Sequence, residues 1–287
     1  MNIALTGSSG KIGSHLLADF KKMGHEVLCI SSSCSSYDDN TFLYEELESE
    51  EINFKADYIF HLASINSNLE ESEVINEISL LTKAINSMER LQCKNFIFFS
   101  TIKVYGDNSF EFYCIDENAP IQPKCFYGKA KAKCELELIN SAKKKNFNYF
   151  IFRLPPILIN HPQSNLGRLF YLVEQGLPIP SFHVGDTNCR SFLKYDFLIH
   201  VLNIVLSAED INSNKIYNLS DNDPISTNDL LRWFAKSINK KLRIIYLPNF
   251  FFTVMMNVNL LQLILCRLFG NFYLSNEKLR KDFKLPE

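Results

Sequence analysis

A tyrosine and a lysine four residues apart are the side chains in this sequence that best suit acid–base chemistry. Tyr127 and Lys131 lie in the stretch CFYGKAKAKCELEL, which has helical character, so both side chains should lie on one helical face. A lysine ammonium beside a phenol favours the phenolate, and a further positive charge bound nearby would add to that effect. The pair therefore predicts a tyrosine that exchanges a proton near neutral pH.

A threonine upstream could act on the same substrate oxygen. Thr101 ends the apolar run NFIFFST, which is typical of a buried strand, and ligands of doubly wound folds bind at the carboxyl ends of such strands. Its hydroxyl could hydrogen-bond the oxygen that Tyr127 protonates. The alternative is structural: Thr101 ends a strand and Tyr127 covers a core.

Three glycines near the start of the chain indicate a phosphate-binding turn. Gly7, Gly10 and Gly13 lie in TGSSGKIG, between the apolar run NIALT and a stretch with helical spacing. A strand, a glycine turn and a helix N-terminus together let a pyrophosphate approach unpaired backbone N–H groups. The alternative is a purely structural turn, but the position on the first strand of a βαβ series favours dinucleotide binding.

The second predicted strand does not decide between NAD and NADP. An acid at its end would bind the ribose 2′-OH of NAD, and an arginine nearby would accept the 2′-phosphate of NADP. The segment CISSSCSS has neither, and Ser31, Ser32 and Ser33 could hydrogen-bond either group. The cofactor is therefore predicted as NAD or NADP.

The elements that position these residues alternate between strand and helix. The runs NIALT, HEVLCIS, ADYIFHLAS, NFIFFST and FNYFIFRLPP are continuously apolar, as in parallel strands buried on both faces. This pattern predicts an α/β fold with a Rossmann-type doubly wound parallel sheet over residues 1–155. Prolines then punctuate the chain, and residues 156–287 are predicted to form a smaller C-terminal substrate-binding region. Within it, Ser226 and Asp229 form a capping-box pattern at a helix start.

Composition excludes several other classes. The 287 residues carry a formal net charge of −2 and no basic run, which argues against a nucleic-acid partner. The eight cysteines show no metal-like spacing with the six histidines, so no metal site is predicted and the thiols should be reduced. No leader segment is evident, and the predicted location is the cytoplasm.

One stretch, residues 249–274, is the most apolar of the chain. Asn257, Asn259, Gln262 and Arg267 interrupt it, and a membrane-spanning helix would need about 20 residues with few such groups. We therefore expect a packed or subunit-facing helix and no stable membrane span, with contact to a membrane surface as the alternative.

These motifs together resemble the extended short-chain dehydrogenase/reductase family. The similarity covers TGSSGKIG, HLAS at 61–64, FFSTIKVYG and YGKAK. It implies that Thr101, Tyr127 and Lys131 form the catalytic set, with Lys131 also holding the nicotinamide ribose. The cofactor contacts that the motifs and the resemblance imply, besides Tyr127 and Lys131, are Gly7, Ser9, Gly10, Lys11, Ile12, Gly13, Ser31, Ser32, Leu62 and Ala63.

Within that family the sequence is most similar to bacterial enzymes of surface-polysaccharide synthesis (O-antigen or capsule). These are UDP-sugar 4-epimerases and the 4-keto reductases that form UDP-N-acetylquinovosamine. The segments STIKV, RLPPILI, CRSF and LSDNDPISTNDLLR carry this similarity. It implies nucleotide contacts by Asn165 and Arg190, binding of substrate at Thr101, and a possible homodimer. A guanidinium fork suits a diphosphate, although a surface arginine is the alternative for Arg190.

The sequence departs from the dehydratases of the family at the residues after Thr101. Those enzymes have an Asp-Glu pair there, and this chain has Ile102 and Lys103, so elimination of water is not expected. The predicted reaction is hydride transfer at C4 of a UDP-hexose or UDP-N-acetylhexosamine, with a slight preference for the 4-keto reductase. The alternatives are a UDP-glucose or UDP-N-acetylglucosamine 4-epimerase with retained NAD and a non-catalytic dinucleotide-binding protein.

Overall fold

The computed structural model of the chain describes residues 1–32, 41–49, 52–65, 69–159, 165–207, 214–221 and 223–285. The chain divides into two compact units. The first contains residues 1–106, 120–154 and 207–217, and the second contains residues 107–119, 155–206 and 218–287. The predicted boundary between residues 155 and 156 divides the chain once. In the structure, residues 107–119 belong instead to the second unit and residues 207–217 to the first. That residues 156–287 bind the substrate stays a prediction.

The strands of the described residues are β1 (Asn2–Thr6), β2 (Glu26–Ser31), β3 (Thr41–Leu43), β4 (Tyr58–His61), β5 (Asn95–Thr101), β6 (Cys114–Ile115), β7 (Asn148–Leu154), β8 (Ile157–Leu158), β9 (Ile179–Ser181), β10 (Leu193–Lys194), β11 (Lys215–Asn218), β12 (Ile244–Tyr246) and β13 (Tyr273–Leu274). The helices are α1 (Lys11–Lys22), α2 (Tyr44–Ser49), α3 (Val74–Arg90), α4 (Phe126–Lys145), α5 (Asn165–Glu174), α6 (Val184–Thr187), α7 (Tyr195–Ser207), α8 (Thr227–Ser237), α9 (Asn249–Met256), α10 (Asn259–Phe269) and α11 (Glu277–Phe283). Single 3-10 turns cover Glu71–Glu73 and Ile102–Val104.

The first unit is built on a seven-stranded sheet with the order β11-β7-β5-β4-β1-β2-β3. The pairings from β7 to β3 are all parallel. The strand order reverses between β1 and β4, which is the arrangement of a Rossmann-type doubly wound sheet. The predicted fold class is therefore confirmed, and the strands are continuously apolar because both faces of the sheet are buried.

A buried polar network joins the carboxyl end of β5 to α4 and β7. The Arg153 guanidinium donates to both carboxylate oxygens of Glu135, at 3.0 and 2.6 Å, and to the Tyr105 hydroxyl at 2.8 Å. The Ser100 hydroxyl donates to the same carboxylate. Arg153 and Glu135 are only 3% and 4% exposed. This buried charge pair therefore fixes α4 against the carboxyl ends of β5 and β7.

The second unit has short paired strands, as the prolines of the sequence predict. β8 pairs with β10, β9 with β12 and β6 with β13, each over two or three residues. Helices α5 and α8 pack through the stacked rings of Phe170 and Phe234, whose centroids lie 3.8 Å apart. The Ser226 hydroxyl accepts from the Asp229 N–H at the start of α8, which confirms the predicted cap.

The apolar stretch 249–274 forms two short helices, α9 and α10, where the sequence predicted one packed helix. Asn257 ends α9, and Val258 precedes α10 in an extended conformation, so the chain turns between them. Their inner side chains, such as Phe252 and Phe269, pack on Phe182. Many outer side chains are exposed, so these helices are packed on one side only. No described helix is both long and apolar enough to cross a membrane.

Removal of the Arg153 charge should destabilise the first unit. In Arg153→Met the Glu135 carboxylate stays buried without its counter-ion, and this should lower the free energy of unfolding by about 3–5 kcal/mol. Chemical denaturation monitored by circular dichroism measures the loss. Lys83→Met breaks the exposed Lys83–Glu45 pair and should leave the unfolding midpoint almost unchanged. Equal midpoints for the two variants would show that the buried pair does not hold the unit together.

Candidate active site

The predicted cofactor and catalytic residues of the first unit meet along one edge of its sheet. Thr101 ends β5, Leu62 follows β4, Gly7 follows β1 and Ser31 ends β2. These four strands are adjacent and parallel, so their carboxyl ends share an edge about 14 Å long. In open parallel sheets ligands bind outside this edge, at the point where the strand order reverses.

Gly7 and Gly13 are required by close backbone packing. Gly7 has a φ of +74°, and a Cβ there would lie 2.6 Å from the Ala63 backbone nitrogen. A Cβ on Gly13 would lie even closer to the Gly7 carbonyl oxygen. The first glycine thus places the turn against the segment that follows β4, and the third packs α1 against the turn.

Gly10 leaves the N-terminus of α1 open to an anion. It is the N-cap of α1 and has no side chain that could cap the helix, and the first turn contains no acidic residue. Lys11 begins the helix and its side chain is exposed, as is Ser9 in the turn, while Ile12 is partly buried. Nearby, the Ser64 hydroxyl is buried without a hydrogen-bond partner among the described residues. These features fit a dinucleotide whose pyrophosphate lies at the helix N-terminus.

The serines at the end of β2 do not select a cofactor. Ser31 is partly buried and is the last residue of the strand, and Ser32 is exposed directly after it. Ser33 lies outside the described residues. Since the two described hydroxyls can bind a ribose hydroxyl or a phosphate oxygen, both NAD and NADP remain compatible with this end of the sheet.

A second glycine contact brings the start of α4 to the end of β5. A Cβ on Gly128 would lie 2.5 Å from the Lys103 carbonyl oxygen, so only glycine allows this approach. The Thr101 hydroxyl accepts from the Lys103 N–H at 3.4 Å and begins the 3-10 turn. Gly128, the residue after Tyr127, therefore packs on Lys103, whose N–H is bonded to the Thr101 hydroxyl. The start of α4 and the end of β5, which carry the two predicted catalytic hydroxyls, are thus in direct contact.

Lys131 is held by a buried carboxylate that lies outside the sequence motifs. Its ammonium lies 3.0 Å from Glu77 Oε1 on α3, and both side chains are 2% exposed. The other oxygen, Glu77 Oε2, accepts from the Ile65 N–H at 2.9 Å. The ammonium also lies over the rings of Phe98 at 4.9 Å and Tyr127 at 5.9 Å. Glu77 thus positions Lys131 beside the tyrosine, as the helical spacing predicted.

The same carboxylate changes the acid–base behaviour expected of Tyr127. Burial raises the pKa of the Tyr127 phenol, the Lys131 ammonium lowers it, and the Glu77 carboxylate raises it again, with a net pKa above the ordinary value. Tyr127 is therefore a neutral phenol at physiological pH in this structure. Proton exchange near neutral pH, which was expected with a further positive charge bound beside the Tyr–Lys pair, stays a prediction.

His61 supports the site as a neutral residue. Burial, with a smaller contribution from the Lys131 charge, lowers the pKa of the imidazole to about 3. Its Nδ1 shares a 2.8 Å hydrogen bond with the Thr6 hydroxyl, which also accepts from the Ala63 N–H. This chain links the ends of β1 and β4 across the point of strand reversal.

The two predicted nucleotide contacts lie in the second unit. Asn165 is the first residue of α5, and its side chain lies outside the described part of the structure. Arg190 is partly buried, and burial lowers the pKa of its guanidinium to about 10. The guanidinium donates to the Leu268 carbonyl oxygen at 3.3 Å and lies over the Phe192 ring. No carboxylate among the described residues pairs with it, so its charge can accept an anionic ligand.

Glu77 could have been found from the periodicity of α3. The buried positions of this helix run through Val74, Glu77, Leu81, Ala84 and Met88, so one acid interrupts an apolar stripe at helical spacing. A carboxylate is rarely fully buried unless it is paired, so such an acid predicts a buried cation.

Among the described residues, no group of three or more potential ligands could hold a metal ion.

Comparisons with known proteins agree with this geometry. The sequence profile of the NAD dependent epimerase/dehydratase family matches residues 3–220. A UDP-glucose 4-epimerase of Vibrio cholerae is 25% identical over 264 residues, which cover 83% of this chain and 76% of that protein. An N-acetyl-α-D-glucosaminyl-diphospho-ditrans,octacis-undecaprenol 4-epimerase of Escherichia coli O157:H7 is 28% identical over 163 residues. That match covers 56% of this chain and about half, 48%, of the relative.

Solved structures show the same fold. The UDP-glucose 4-epimerase of Thermotoga maritima, solved with UDP-glucose, superposes with a TM-score of 0.75 at 18% identity. The superposition covers 99% of this chain and 93% of the other. The resemblance to extended short-chain dehydrogenases/reductases of the UDP-sugar 4-epimerase type is confirmed.

Neutralising Glu77 should make Tyr127 more acidic. In Glu77→Gln the carboxylate that raises the pKa of the phenol is absent, while the Lys131 charge remains, so the alkaline titration of Tyr127 should shift to lower pH. The measurement is the tyrosinate absorbance as a function of pH, with the corresponding Tyr127→Phe spectrum subtracted. The exposed Glu89→Gln, on the same helix, is the control and should leave the titration in place. An unshifted titration in Glu77→Gln would contradict the assigned role.

Proposed function

Because the chain belongs to the NAD-dependent epimerase/dehydratase family, we propose that it is an NAD(P)-dependent enzyme that transfers hydride at C4 of a UDP-hexose or UDP-N-acetylhexosamine. The observation that carries this proposal is the packing of α4 on the end of β5. It places the Tyr127 phenol and the Lys131 ammonium on one helical face, next to the turn that Thr101 begins.

The side chains act on the oxygen at C4. The nicotinamide, when bound, supplies or accepts the hydride. In the oxidising direction Tyr127 acts as the phenolate, which a bound positive charge beside Lys131 would favour, and takes the proton of the C4 hydroxyl; in the reducing direction the phenol gives that proton to the C4 oxygen. Thr101 donates a hydrogen bond to the same oxygen and stabilises its developing charge. Lys131 lowers the pKa of Tyr127, and Glu77 holds Lys131 in place.

The residues proposed to hold the dinucleotide lie along the sheet edge. The pyrophosphate would lie on the N-terminus of α1, the ribose of the adenosine near Ser31 and Ser32, and the nicotinamide ribose near Lys131. The family description favours NAD, and the two serines accommodate NADP as well. The proposed contacts on the turn and after β4 are Gly7, Ser9, Gly10, Lys11, Ile12, Gly13, Leu62 and Ala63.

Arg190 is proposed to bind the diphosphate of the nucleotide sugar. A partly buried guanidinium without a carboxylate partner among the described residues has unsatisfied charge, and its planar fork matches two phosphate oxygens. Asn165 is proposed as a further contact to the nucleotide, on resemblance alone. A homodimer and a place in surface-polysaccharide synthesis are proposed on the same basis.

Two outcomes share this chemistry. An epimerase retains its cofactor, turns the keto sugar over and returns hydride to the other face, whereas a 4-keto reductase delivers hydride once and exchanges its cofactor. The sequence motifs gave a slight preference for the reductase. The named relatives are 4-epimerases, so we place the epimerase first and keep the reductase as the second candidate.

Cofactor release and substrate conversion distinguish these candidates. We expect purified protein, once denatured, to release tightly bound NAD, and the native protein to interconvert the C4 epimers of UDP-glucose or UDP-N-acetylglucosamine. Consumption of NADH or NADPH only with a 4-keto UDP-sugar would establish the reductase instead. Because one relative is named for a sugar on undecaprenyl diphosphate, that substrate is the third arm. No conversion in any arm by folded, cofactor-loaded protein would contradict the proposed function.

Loss of the Tyr127 hydroxyl should stop turnover and leave the fold intact. Tyr127→Phe keeps the packing of the ring but removes the proton donor and acceptor, so kcat should fall by about 10²-fold or more. Cofactor retention and the circular dichroism spectrum should not change. Tyr171→Phe, at a 57% exposed tyrosine of α5, is the matched control and should keep full activity. An active Tyr127→Phe protein would remove Tyr127 from the mechanism.

A further inference from the structure

Helices α9 and α10 expose an apolar surface that the proposed reaction does not use. Side chains on their outer sides are 40–70% exposed, and we call these six residues the α9–α10 face: Phe250, Phe251, Val254, Leu260, Leu263 and Ile264. The helix of a folded protein normally turns polar or charged residues to water. Here α9 carries no charged residue, and α10 carries Arg267 alone.

The opposite sides of both helices are already anchored in the second unit. Phe252 packs edge to face against Phe182 and Phe110, with ring centroids 5.1 and 5.5 Å apart. Leu265 and Phe269 are buried in the same cluster. The two helices are therefore a fixed platform whose outward side is apolar, and the exposed side chains are not an incompletely packed core.

The stretch of sequence that contains these two helices carries charge of one sign. From residue 230 to residue 276 the sequence has six lysines and arginines and no aspartate or glutamate, although the whole chain has a formal net charge of −2. Arg232 pairs with Asp186 and Asp229. The other five basic residues are exposed: Lys236, Lys240, Lys241, Arg243 and Arg267. An exposed apolar face that lies within a cationic stretch of the chain, with Arg267 on α10 itself, is complementary to a bilayer that carries anionic headgroups.

We propose that the α9–α10 face docks the protein on an anionic lipid bilayer, with the exposed phenylalanine and leucine side chains at the headgroup boundary and the basic residues on lipid phosphates. The helices contain 8 and 11 residues, so they lie on the bilayer and do not cross it. A second copy of the chain fits this face less well. A two-fold interface would place the same cationic stretch opposite itself, where like charges repel.

Flotation with lipid vesicles tests the proposal independently of any enzymatic activity. The full chain should float with phosphatidylcholine vesicles that contain phosphatidylglycerol, and both pure phosphatidylcholine and high salt should weaken the association. Phe250→Ser/Leu260→Ser, at side chains that are 70% and 68% exposed, should reduce binding about tenfold or more, since both lose buried apolar area. Ile75→Ser/Leu136→Ser, at exposed apolar residues of α3 and α4, is the matched control and should bind like the unchanged protein.

A charge reversal provides the second test. Lys240→Glu/Lys241→Glu should abolish the preference for anionic vesicles, whereas Lys143→Glu/Lys144→Glu, on the exposed C-terminal end of α4, should not. Circular dichroism confirms that each variant is folded. Failure of the folded protein to float with either vesicle, or equal flotation of the Phe250/Leu260 variant, would overturn the proposal. A fall in oligomeric mass in that variant, without flotation of the parent, would assign the face to self-association instead.

Discussion

The parallel pairing of β1 with β2 on one side and with β4 on the other is the constraint on which the candidate active site depends. Because the strand order reverses between β1 and β4, the carboxyl ends of these two strands form the part of the edge where open parallel sheets bind ligands. Gly7 and Gly13 make this geometry possible, since any side chain would collide with backbone there. The glycine turn, the segment after β4 and the end of β5 then share one edge of the sheet. The role predicted for each residue there depends on its position along this edge.

Buried charge pairs fix the catalytic elements against this sheet. Lys131 with Glu77 and Arg153 with Glu135 are both almost fully buried. Removing four charged groups from water costs free energy, and apolar side chains in the same positions would not have this cost. Stability alone therefore does not explain why these positions are charged. Each pair has one member on α4, and the two pairs join this helix to α3 and to β7. The charges therefore act together with the buried apolar side chains of α4 to fix this helix, and with it the position of Tyr127.

The electrostatic balance at Tyr127 follows from the same pairs. A lysine beside a tyrosine lowers the pKa of the phenol, but here the carboxylate that holds the lysine raises it again, and burial raises it further. The site thus favours the protonated form of Tyr127, with the Lys131 ammonium beside its ring. Any added positive charge at this edge shifts the balance towards the phenolate, so proton exchange at Tyr127 is coupled to the charge of whatever binds there.

Local patterns in the sequence determined the strands, the glycine turn, the Tyr127–Lys131 spacing and the cap at Ser226, because each depends on residues that are neighbours along the chain or one helical turn apart. Tertiary structure alone decided the rest. Glu77 lies 54 positions before Lys131 and reaches it only because α3 packs on α4, and the neutral state of His61 depends on burial. The division of residues 249–274 into two helices with one buried and one exposed side also depends on packing, since an apolar composition is the same whether a side chain faces a core or water. Sequence records which residues are apolar or charged, whereas burial and distant pairing are properties of the folded chain.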